Sequence, residues 1–370
     1  MKSLVYMAYA ILGFLSRPFF KINSEIVIFG SRGGVAFEGN GKYLFLHACK
    51  SNAKRYVWIA KSHTVVNEVR SYGHEAHHFL SLSGFILCVV AAKIYITHSM
   101  FDCAPIFWRK GQTIIDLWHG IPIKNVAFSD NNVRKISRLM DFYKSVRLDF
   151  LISHNDESLK VYEENFRVSP HKILAYGSPR IEYLKKYDNP IVFNGINLEG
   201  FCEVYLYAPT FRDYNYQDPL LELIFLETLD QFLVQRNSCL FIKLHPLLDS
   251  FESKIFKNIS FVASNHDVYE MLSFSDVLIT DYSGLSADFI SAFPNRRLII
   301  FAPDFDRYMK TRGFNINFRS SFSEISAKCD LGMFDMNSKV LNSFFSAKSL
   351  NACDNILNIN ESCLGGDECA

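Results

Sequence analysis

The sequence predicts an α/β protein built from two Rossmann-like, doubly wound domains. Three observations indicate this fold: short apolar runs alternate with helical stretches, the alternation stops at a polar segment near residues 185–200, and it then starts again. Because alternating strands and helices form βαβ units, each half of the chain is expected to fold around a parallel sheet.

The first half contains five apolar runs that are typical of buried strands, at residues 25–29, 56–60, 94–97, 113–117 and 150–153. Between them, residues 43–49 and 79–92 are expected to be helical, the second of these buried. The second half repeats the pattern, with expected strands at 203–208, 239–244, 277–280 and 298–301 and helices at 219–235 and 267–274. We therefore predict domains at residues 1–195 and 196–345, followed by a loose tail at 346–370.

The composition supports a globular protein and argues against some functions. A chain of 370 residues that is 49% hydrophobic and 21% charged can bury the cores of two domains. The net charge of +1 gives no overall attraction to nucleic acid, so we predict no nucleic-acid partner. The nine cysteines form no CxxC pair and are expected to be reduced, so no metal site is predicted.

The N-terminal residues 3–16 form an uncharged, apolar run between Lys2 and Arg17. This run is too short to cross a bilayer, which needs about 20 residues. Two interpretations stay open. The run is either a buried first helix or an anchor in the membrane interface, with Arg17, Lys21 and nearby phenylalanines at its edge.

Ligands of open α/β sheets bind beyond the carboxyl ends of the strands, so the residues that follow each expected strand are the candidate site. His119 follows the strand at 113–117 and is either a general base or a histidine that braces a turn. Arg212 follows the strand at 203–208 and either binds phosphate or pairs with a nearby carboxylate. Lys243 and His245 end the next strand and fit a phosphate site, although a structural histidine is an equal alternative.

The strand at 277–280 leads into Asp281, and Ser283 then precedes an expected helix. A helix that begins with small hydroxyl residues is a potential anion site, and an ordinary serine cap is the alternative. Asp304 and Asp306 form a DxD pattern that either binds a metal–nucleotide or lies in a turn. No Walker A, GxGxxG, HExxH or GxSxG pattern occurs in the sequence.

Six motifs occur in an order that resembles one enzyme family: WHGIPIK, YGSPR, YAPTFRD, KLHP, ITDYSGLSADF and APDFDRYMKTRGF. Between about residues 114 and 314 the chain resembles the CDP-glycerol glycerophosphotransferases, which include teichoic-acid primases and polymerases and related capsule polymerases. The resemblance implies a GT-B-like arrangement of the two domains, with the active site in the cleft between them. It also implies a CDP-alditol donor and a lipid-linked or polymeric acceptor at the cytoplasmic face of a bacterial membrane.

The same resemblance assigns roles to residues of this chain. His119 corresponds to the base, and His245 to a second catalytic histidine beside the leaving diphosphate. The donor-binding residues that it implies are Arg212, Asp213, Lys243, Asp281, Ser283 and Gly284. The resemblance makes no cofactor certain, and a divalent cation stays open as an option.

Two features depart from the family pattern and put the donor's alditol in question more than its phosphates. Gly284 replaces the second serine of the usual DYSS, and no Pro-Gly segment follows the RGF sequence. The choice between glycerol and ribitol, and between primase and polymerase, stays open. So do two rival functions: a glycosyltransferase of the same fold that uses a nucleotide sugar, and a non-catalytic member of a polymer-assembly complex.

Overall fold

The computed structural model describes residues 2–51, 53–103, 108–120, 122–123, 125–130, 135–187, 190–210, 212, 218–244, 255–263, 266–305, 307–308, 333–335 and 351–359. The chain divides into two compact units. The first contains Met1–Glu182 and Ala347–Ala370, and the second contains Tyr183–Ser346.

The first unit is a parallel sheet with helices on both faces. Its strands are β1 (Asn23–Phe29), β2 (Arg55–Ala60), β3 (Ala76–His78), β4 (Ala91–Ile96), β5 (Thr113–Asp116), β6 (Phe150–Ile152) and β7 (Ile173–Leu174). Its helices are α1 (Lys2–Ser16), α2 (Gly39–Ala48), α3 (His63–Ser71), α4 (Leu82–Val90), α5 (Lys135–Arg147) and α6 (Leu159–Phe166). Helix α7 (Pro179–Lys186) begins in the first unit and ends in the second. The strand order is β3-β2-β1-β4-β5-β6-β7, and every pair is parallel. This is the doubly wound fold that the sequence predicts.

Side chains of β1 show how the sheet is buried on both sides. Ile26 and Ile28 pack into one core with Tyr9 of α1 and Leu87 of α4. Val27 and Phe29 pack into the opposite core, which contains residues of α2 and α3. The four buried positions of β1, residues 26–29, are all apolar, as expected when helices cover both faces of a parallel sheet.

The second unit repeats this architecture. A two-stranded hairpin, β8 (Val192–Phe193) and β9 (Ile196–Asn197), precedes the sheet. The sheet strands are β10 (Val204–Tyr207), β11 (Cys239–Lys243), β12 (Ile259–Val262), β13 (Val277–Thr280), β14 (Arg297–Phe301) and β15 (Met333–Asp335). The helices are α8 (Leu223–Gln235), α9 (Val268–Phe274) and α10 (Leu285–Ala292). The order is β12-β11-β10-β13-β14-β15, and among the described strand pairs of this sheet only β14–β15 is antiparallel.

The observed division of the chain differs from the predicted boundary near residue 195. The hairpin lies in the second unit, because Phe193 packs against Phe241 and Phe274 with ring centroids 5.3 and 4.8 Å apart. The polar composition of residues 185–200 therefore marks the first part of the second unit.

The predicted tail at 346–370 differs more strongly, because residues 347–370 belong to the first unit. Helix α11 (Ala352–Leu357) buries Cys353 and Ile356 in the core that contains Val27. Lys93 donates hydrogen bonds to two carbonyls of this segment, and the Tyr95 hydroxyl donates to the Ile356 carbonyl at 3.1 Å. Helix α11 therefore packs against the first sheet through a short apolar face, although most of the surrounding sequence is polar.

Helix α1 has one buried side and one exposed apolar side. Tyr9 and Ala10 are buried, whereas Leu12, Phe14 and Leu15 are each 58% exposed. Among the described residues, no helix is long and apolar enough to cross a membrane. The second apolar run, at 79–92, forms helix α4 and the start of β4, with residues 87–91 buried as expected.

Candidate active site

The carboxyl ends of β4 and β5 bring two histidines together in the first unit. The strands are parallel neighbours with Ile96 opposite Asp116, so the residues that follow them lie at the same edge of the sheet. His98 follows β4 and His119 follows β5, and their rings stack with centroids 4.0 Å apart and planes 10° apart. The sequence-predicted His119 is therefore one member of a pair.

A hydrogen bond defines the tautomer of His119. Its Nδ1 lies 3.2 Å from the carbonyl oxygen of Thr97. Because a carbonyl only accepts hydrogen bonds, Nδ1 carries the proton and Nε2 keeps a free lone pair. Burial, and then the neighbouring His98, hold the pKa of His119 well below its usual 6.5. The imidazole is therefore neutral at neutral pH, which is the state that a general base requires.

The backbone before His119 is held in an uncommon conformation. Trp118 has φ of 46°, in the left-handed region that bulky side chains rarely adopt. The buried amide of Asn40 donates to the carbonyls of Leu117 and Trp118 at 3.1 and 2.9 Å. The indole of Trp118 lies against the His119 ring, at 3.9 Å between centroids. These contacts fix where the imidazole is presented.

A buried ion pair lies directly behind the two histidines. Lys144 of α5 pairs with Asp116 at the end of β5, and both side chains are almost fully buried. The Lys144 ammonium also donates to the carbonyl of His98 at 3.0 Å and lies 5.0 Å from the Trp118 ring centroid. Burial raises the pKa of Asp116, while the neighbouring Lys144 opposes this shift. The pair fastens α5 to the strand ends that carry the histidines.

In the second unit, Arg212 is enclosed by carboxylates. Its Nη1 lies 2.7 Å from Asp281, and its Nε and Nη2 lie 2.7 and 3.1 Å from the two oxygens of Asp304. The Tyr282 hydroxyl donates to Asp304, and the backbone N–H of Thr210 donates to Asp281. Of the two readings of Arg212, the structure shows the ion pair with nearby carboxylates. Asp304 of the DxD pattern is part of this cluster, and Asp306 lies outside the described residues.

Ser283 and Gly284 form the start of α10. The Ser283 hydroxyl accepts the N–H of Leu285 at 3.3 Å, and the Ser286 hydroxyl donates back to the Ser283 carbonyl at 2.8 Å. The helix therefore begins one residue later than predicted, with Gly284 as its N-cap. An added Cβ at Gly284 would meet no atom within 4 Å, so the serine that is usual in the family would fit there.

Lys243 lies at the carboxyl end of β11, beside β10, and its side chain is partly exposed. Its Nζ is 3.5 Å from the Ala263 carbonyl. Lys243, Arg212 and Ser283 thus follow the adjacent strands β11, β10 and β13, at one edge of the second sheet. His245 and Asp213 lie outside the described residues, so their predicted roles stay predictions.

One group of described residues has the composition of a metal site. His47, Glu182 and Cys353 place a ligand atom each within 4.8 Å of one another. Protein contacts already join this group: His47 pairs with Asp354 at 2.8 Å, and the Cys353 N–H donates to Glu182 at 2.8 Å. These bonds attach α11 to α2 and α7.

Sequence reasoning missed the residues that support His119. His98 directly follows the predicted strand at 94–97, so the strand-end rule that selected His119 would also have selected it. Asn40 and Lys144 carry no such signal, because they act through contacts with segments that are remote in sequence.

The chain is similar to known teichoic-acid enzymes. It is 28% identical to the teichoic acid poly(glycerol phosphate) polymerase of Staphylococcus epidermidis over 322 residues, covering 80% of this chain but 43% of that protein. It is 26% identical to the teichoic acid glycerol-phosphate transferase of Staphylococcus aureus, covering 80% of this chain and 79% of that protein. The chain thus spans less than half of the first relative's length.

A solved structure has the same fold. A variant of the wall teichoic acid polymerase TagF, soaked with CDPG, superimposes with a TM-score of 0.73 at 22% identity, covering 96% of this chain and 95% of that one. The family model described as CDP-Glycerol:Poly(glycerophosphate) glycerophosphotransferase matches residues 13–326. That match includes both histidines, the Arg212 cluster and the start of α10. The chain belongs to the CDP-glycerol:poly(glycerophosphate) glycerophosphotransferase family.

Proposed function

We propose that this protein transfers an alditol phosphate, most simply glycerol phosphate, from a CDP-alditol to a hydroxyl of a membrane-linked or polymeric acceptor. The observation that carries the proposal is His119, a neutral imidazole whose Nδ1 is bonded and whose Nε2 can accept a proton. Family membership supplies the donor class. This transfer is a step in the synthesis of a teichoic-acid-like or capsule polymer.

The proposed step is a phosphoryl transfer that needs no redox partner. The acceptor oxygen attacks the phosphorus that bears the alditol, and a new P–O bond forms. The bond from that phosphorus to the bridging oxygen breaks, and CMP leaves with the bridging oxygen. The acceptor's proton passes to Nε2 of His119. Such a reaction depends mainly on positioning and on stabilising charge.

We assign the donor's phosphates to the second unit. Lys243 offers an ammonium at a strand end, and the first N–H groups of α10 around Ser283 and Gly284 offer the dipole of a helix start. His245 is proposed to stabilise the departing CMP, and Asp213 to complete the donor site. Arg212 and Asp281 form a buried ion pair, so we propose that they hold the loops that carry the donor-binding groups.

The decisive experiment offers purified protein a panel of CDP-glycerol, CDP-ribitol and nucleotide sugars with acceptor. Release of CMP together with a phosphodiester product is expected. His119→Ala should lower turnover about 10²–10⁴-fold, which is the usual contribution of a general base, and leave CDP affinity within a few-fold. The control His171→Ala removes an exposed turn histidine and should change neither.

Other outcomes identify the rival functions. Release of a nucleoside diphosphate with a glycosidic product would show a glycosyltransferase instead. Binding of CDP-alditols without any turnover would show a non-catalytic assembly protein. A folded His119→Ala protein with wild-type turnover would overturn the base assignment while leaving the donor class intact.

We also propose that α1 holds the protein at the cytoplasmic face of the cell membrane as a peripheral protein. Its exposed apolar side chains and the adjacent Arg17 match the apolar and anionic layers of a lipid surface. Leu12→Glu combined with Leu15→Glu should abolish sedimentation with anionic vesicles at unchanged melting temperature. The control Ile224→Glu, on the exposed side of α8, should still sediment. Unchanged sedimentation of the double variant would refute the anchor.

A further inference from the structure

His98 is the part of the candidate site that the proposed chemistry leaves without a role. It follows β4, it is partly buried, and its ring lies parallel to that of His119 at 4.0 Å. The indole of Trp118 also contacts the ring of His119, with centroids 3.9 Å apart. The base is therefore in contact with two aromatic rings.

The position of His98 is fixed at three points. Its N–H donates to Oδ2 of buried Asp102 at 2.8 Å, and its carbonyl accepts from Lys144 at 3.0 Å. Its ring Nδ1 is hydrogen-bonded to the Thr97 hydroxyl at 2.7 Å. Thr97 also provides the carbonyl that binds Nδ1 of His119. The two residues after β4 therefore control both the tautomer and the ring plane of His119.

Asp102 makes this arrangement rigid. Its carboxylate also accepts the backbone N–H groups of Thr97 at 2.7 Å and of Gly33, in the turn after β1, at 2.8 Å. A loop that is bonded to a buried carboxylate at several N–H groups has little freedom to move. The stack is thus part of the strand-end framework and not a chance contact of two mobile side chains.

The charges around His98 are positive. Burial, and then Lys144 of α5, Arg32 after β1 and Arg180 of α7, lower the pKa of His98 to about 3. Asp102 lies on the backbone side of His98, and the ring of His119 covers one face. His98 is thus an uncharged ring that occupies space where water would otherwise solvate a protonated His119.

We propose that His98 is a positioning residue that holds the ring of His119 in place and keeps it dry, so that His119 stays an unprotonated base down to acidic pH. This inference rests on the proposed function, because it assigns His98 to the same proton transfer. It predicts that the aromatic ring of His98 matters more than its nitrogens.

The test compares His98→Ala, which removes the ring, with His98→Phe, which retains a ring for stacking. His98→Ala should lower kcat about ten- to a hundredfold, because the base is misplaced, with CDP affinity within a few-fold of wild type. The acid limb of its kcat–pH profile should move to higher pH by about one unit or more, because water reaches His119. His98→Phe should keep the acid limb and most of kcat.

A control and a second measurement make the result independent of activity. His63 and His78 form another stacked pair, at 4.3 Å, and His78 lies on β3, which is separated from β5 by three strands. His63→Ala should leave kcat and its pH profile unchanged. NMR titration of labelled imidazoles should show His119 titrating at higher pH in His98→Ala than in the wild type.

The outcomes separate this inference from the proposed function. If His119→Ala abolishes turnover but His98→Ala keeps the wild-type kcat and acid limb, the role of His98 is refuted and the proposed base survives. If His119→Ala retains turnover, the base assignment itself is wrong. If His98→Ala does not fold, His98→Phe is the deciding variant, and a shifted acid limb in it overturns the proposal. An unchanged low pKa of His119 in any folded variant without an aromatic ring at position 98 also overturns the proposal.

Discussion

Removal of the Arg212 guanidinium is the sharpest test of how the second unit is held together. Arg212→Ala leaves Asp281 and Asp304 facing each other with side chains that are 2% and 7% exposed. Loss of one partner of a buried pair costs about 3–5 kcal/mol. The N–H of Thr210 and the hydroxyl of Tyr282 still donate to the two carboxylates, so we expect the lower end, about 3 kcal/mol. Since whole domains are stable by about 5–15 kcal/mol, this is a large fraction.

The same sheet offers a matched control. Arg297 pairs with Glu203 at 3.0 Å, but these side chains are 41% and 34% exposed. Exposed pairs contribute at most about 1 kcal/mol, because water already solvates both charges. Arg297→Ala should therefore cost far less than Arg212→Ala, although each variant removes one guanidinium.

The two units can be followed separately in one experiment. The three tryptophans of the chain, Trp58, Trp108 and Trp118, all belong to the first unit, so their fluorescence reports that unit alone. Amide hydrogen exchange in β10 and β13 reports the second unit. Arg212→Ala should lose protection in these strands at normal tryptophan fluorescence. Equal costs for Arg212→Ala and Arg297→Ala, with loss of CDP binding only in the former, would refute the structural role and restore Arg212 as a phosphate ligand.

Three further predictions concern the donor-binding groups and the histidine pair. Lys243→Ala and Ser283→Ala should each weaken CDP binding in calorimetry, with the larger loss, about 1.5–3 kcal/mol, for the charged Lys243. Gly284→Ser should fold with an unchanged melting temperature, because a side chain meets open space there; a lowered value would contradict this. Because the pKa of His98 is depressed to about 3, the unfolded chain binds that proton more readily, so His98 makes stability fall as pH drops below 6.5. In His98→Phe, the free energy of unfolding from urea titrations should therefore fall less between pH 7 and pH 5 than in the wild type.

The parts of the fold that the sequence predicts well are those with a local signal. The apolar run at 113–117 ends where a polar turn begins, so both the strand β5 and the strand-end position of His119 follow from neighbouring residues. The same holds for Ser283, whose small side chain precedes an apolar helix. Helix α11 was missed because its apolar face has only a few residues, and its packing depends on β1 and β4, which lie more than 250 residues away.

Contacts between remote segments could not be predicted from spacing. Arg212 meets Asp281 across 69 positions and Asp304 across 92, and nothing in the sequence pairs these residues. From the sequence, an arginine that follows a strand is therefore equally compatible with binding a phosphate and with forming an ion pair with a carboxylate of the protein. His98 and His119 are 21 positions apart in sequence, and their contact depends on β4 and β5 being neighbours in the sheet.

In both units a buried charged side chain joins the two loops at the point where the strand order reverses: a carboxylate in the first unit and a guanidinium in the second. In a doubly wound sheet the strand order reverses at one point, between β1 and β4 in the first unit and between β10 and β13 in the second, and the loops there diverge to opposite faces. In the first unit the carboxylate of Asp102 joins the two loops by accepting from Gly33 and His98. In the second unit the Arg212–Asp281 pair joins them. Buried charge at the reversal point holds the loops, and two of the groups that we assign to chemistry lie one strand away from it: His119 follows β5, and Lys243 ends β11, which flanks β10.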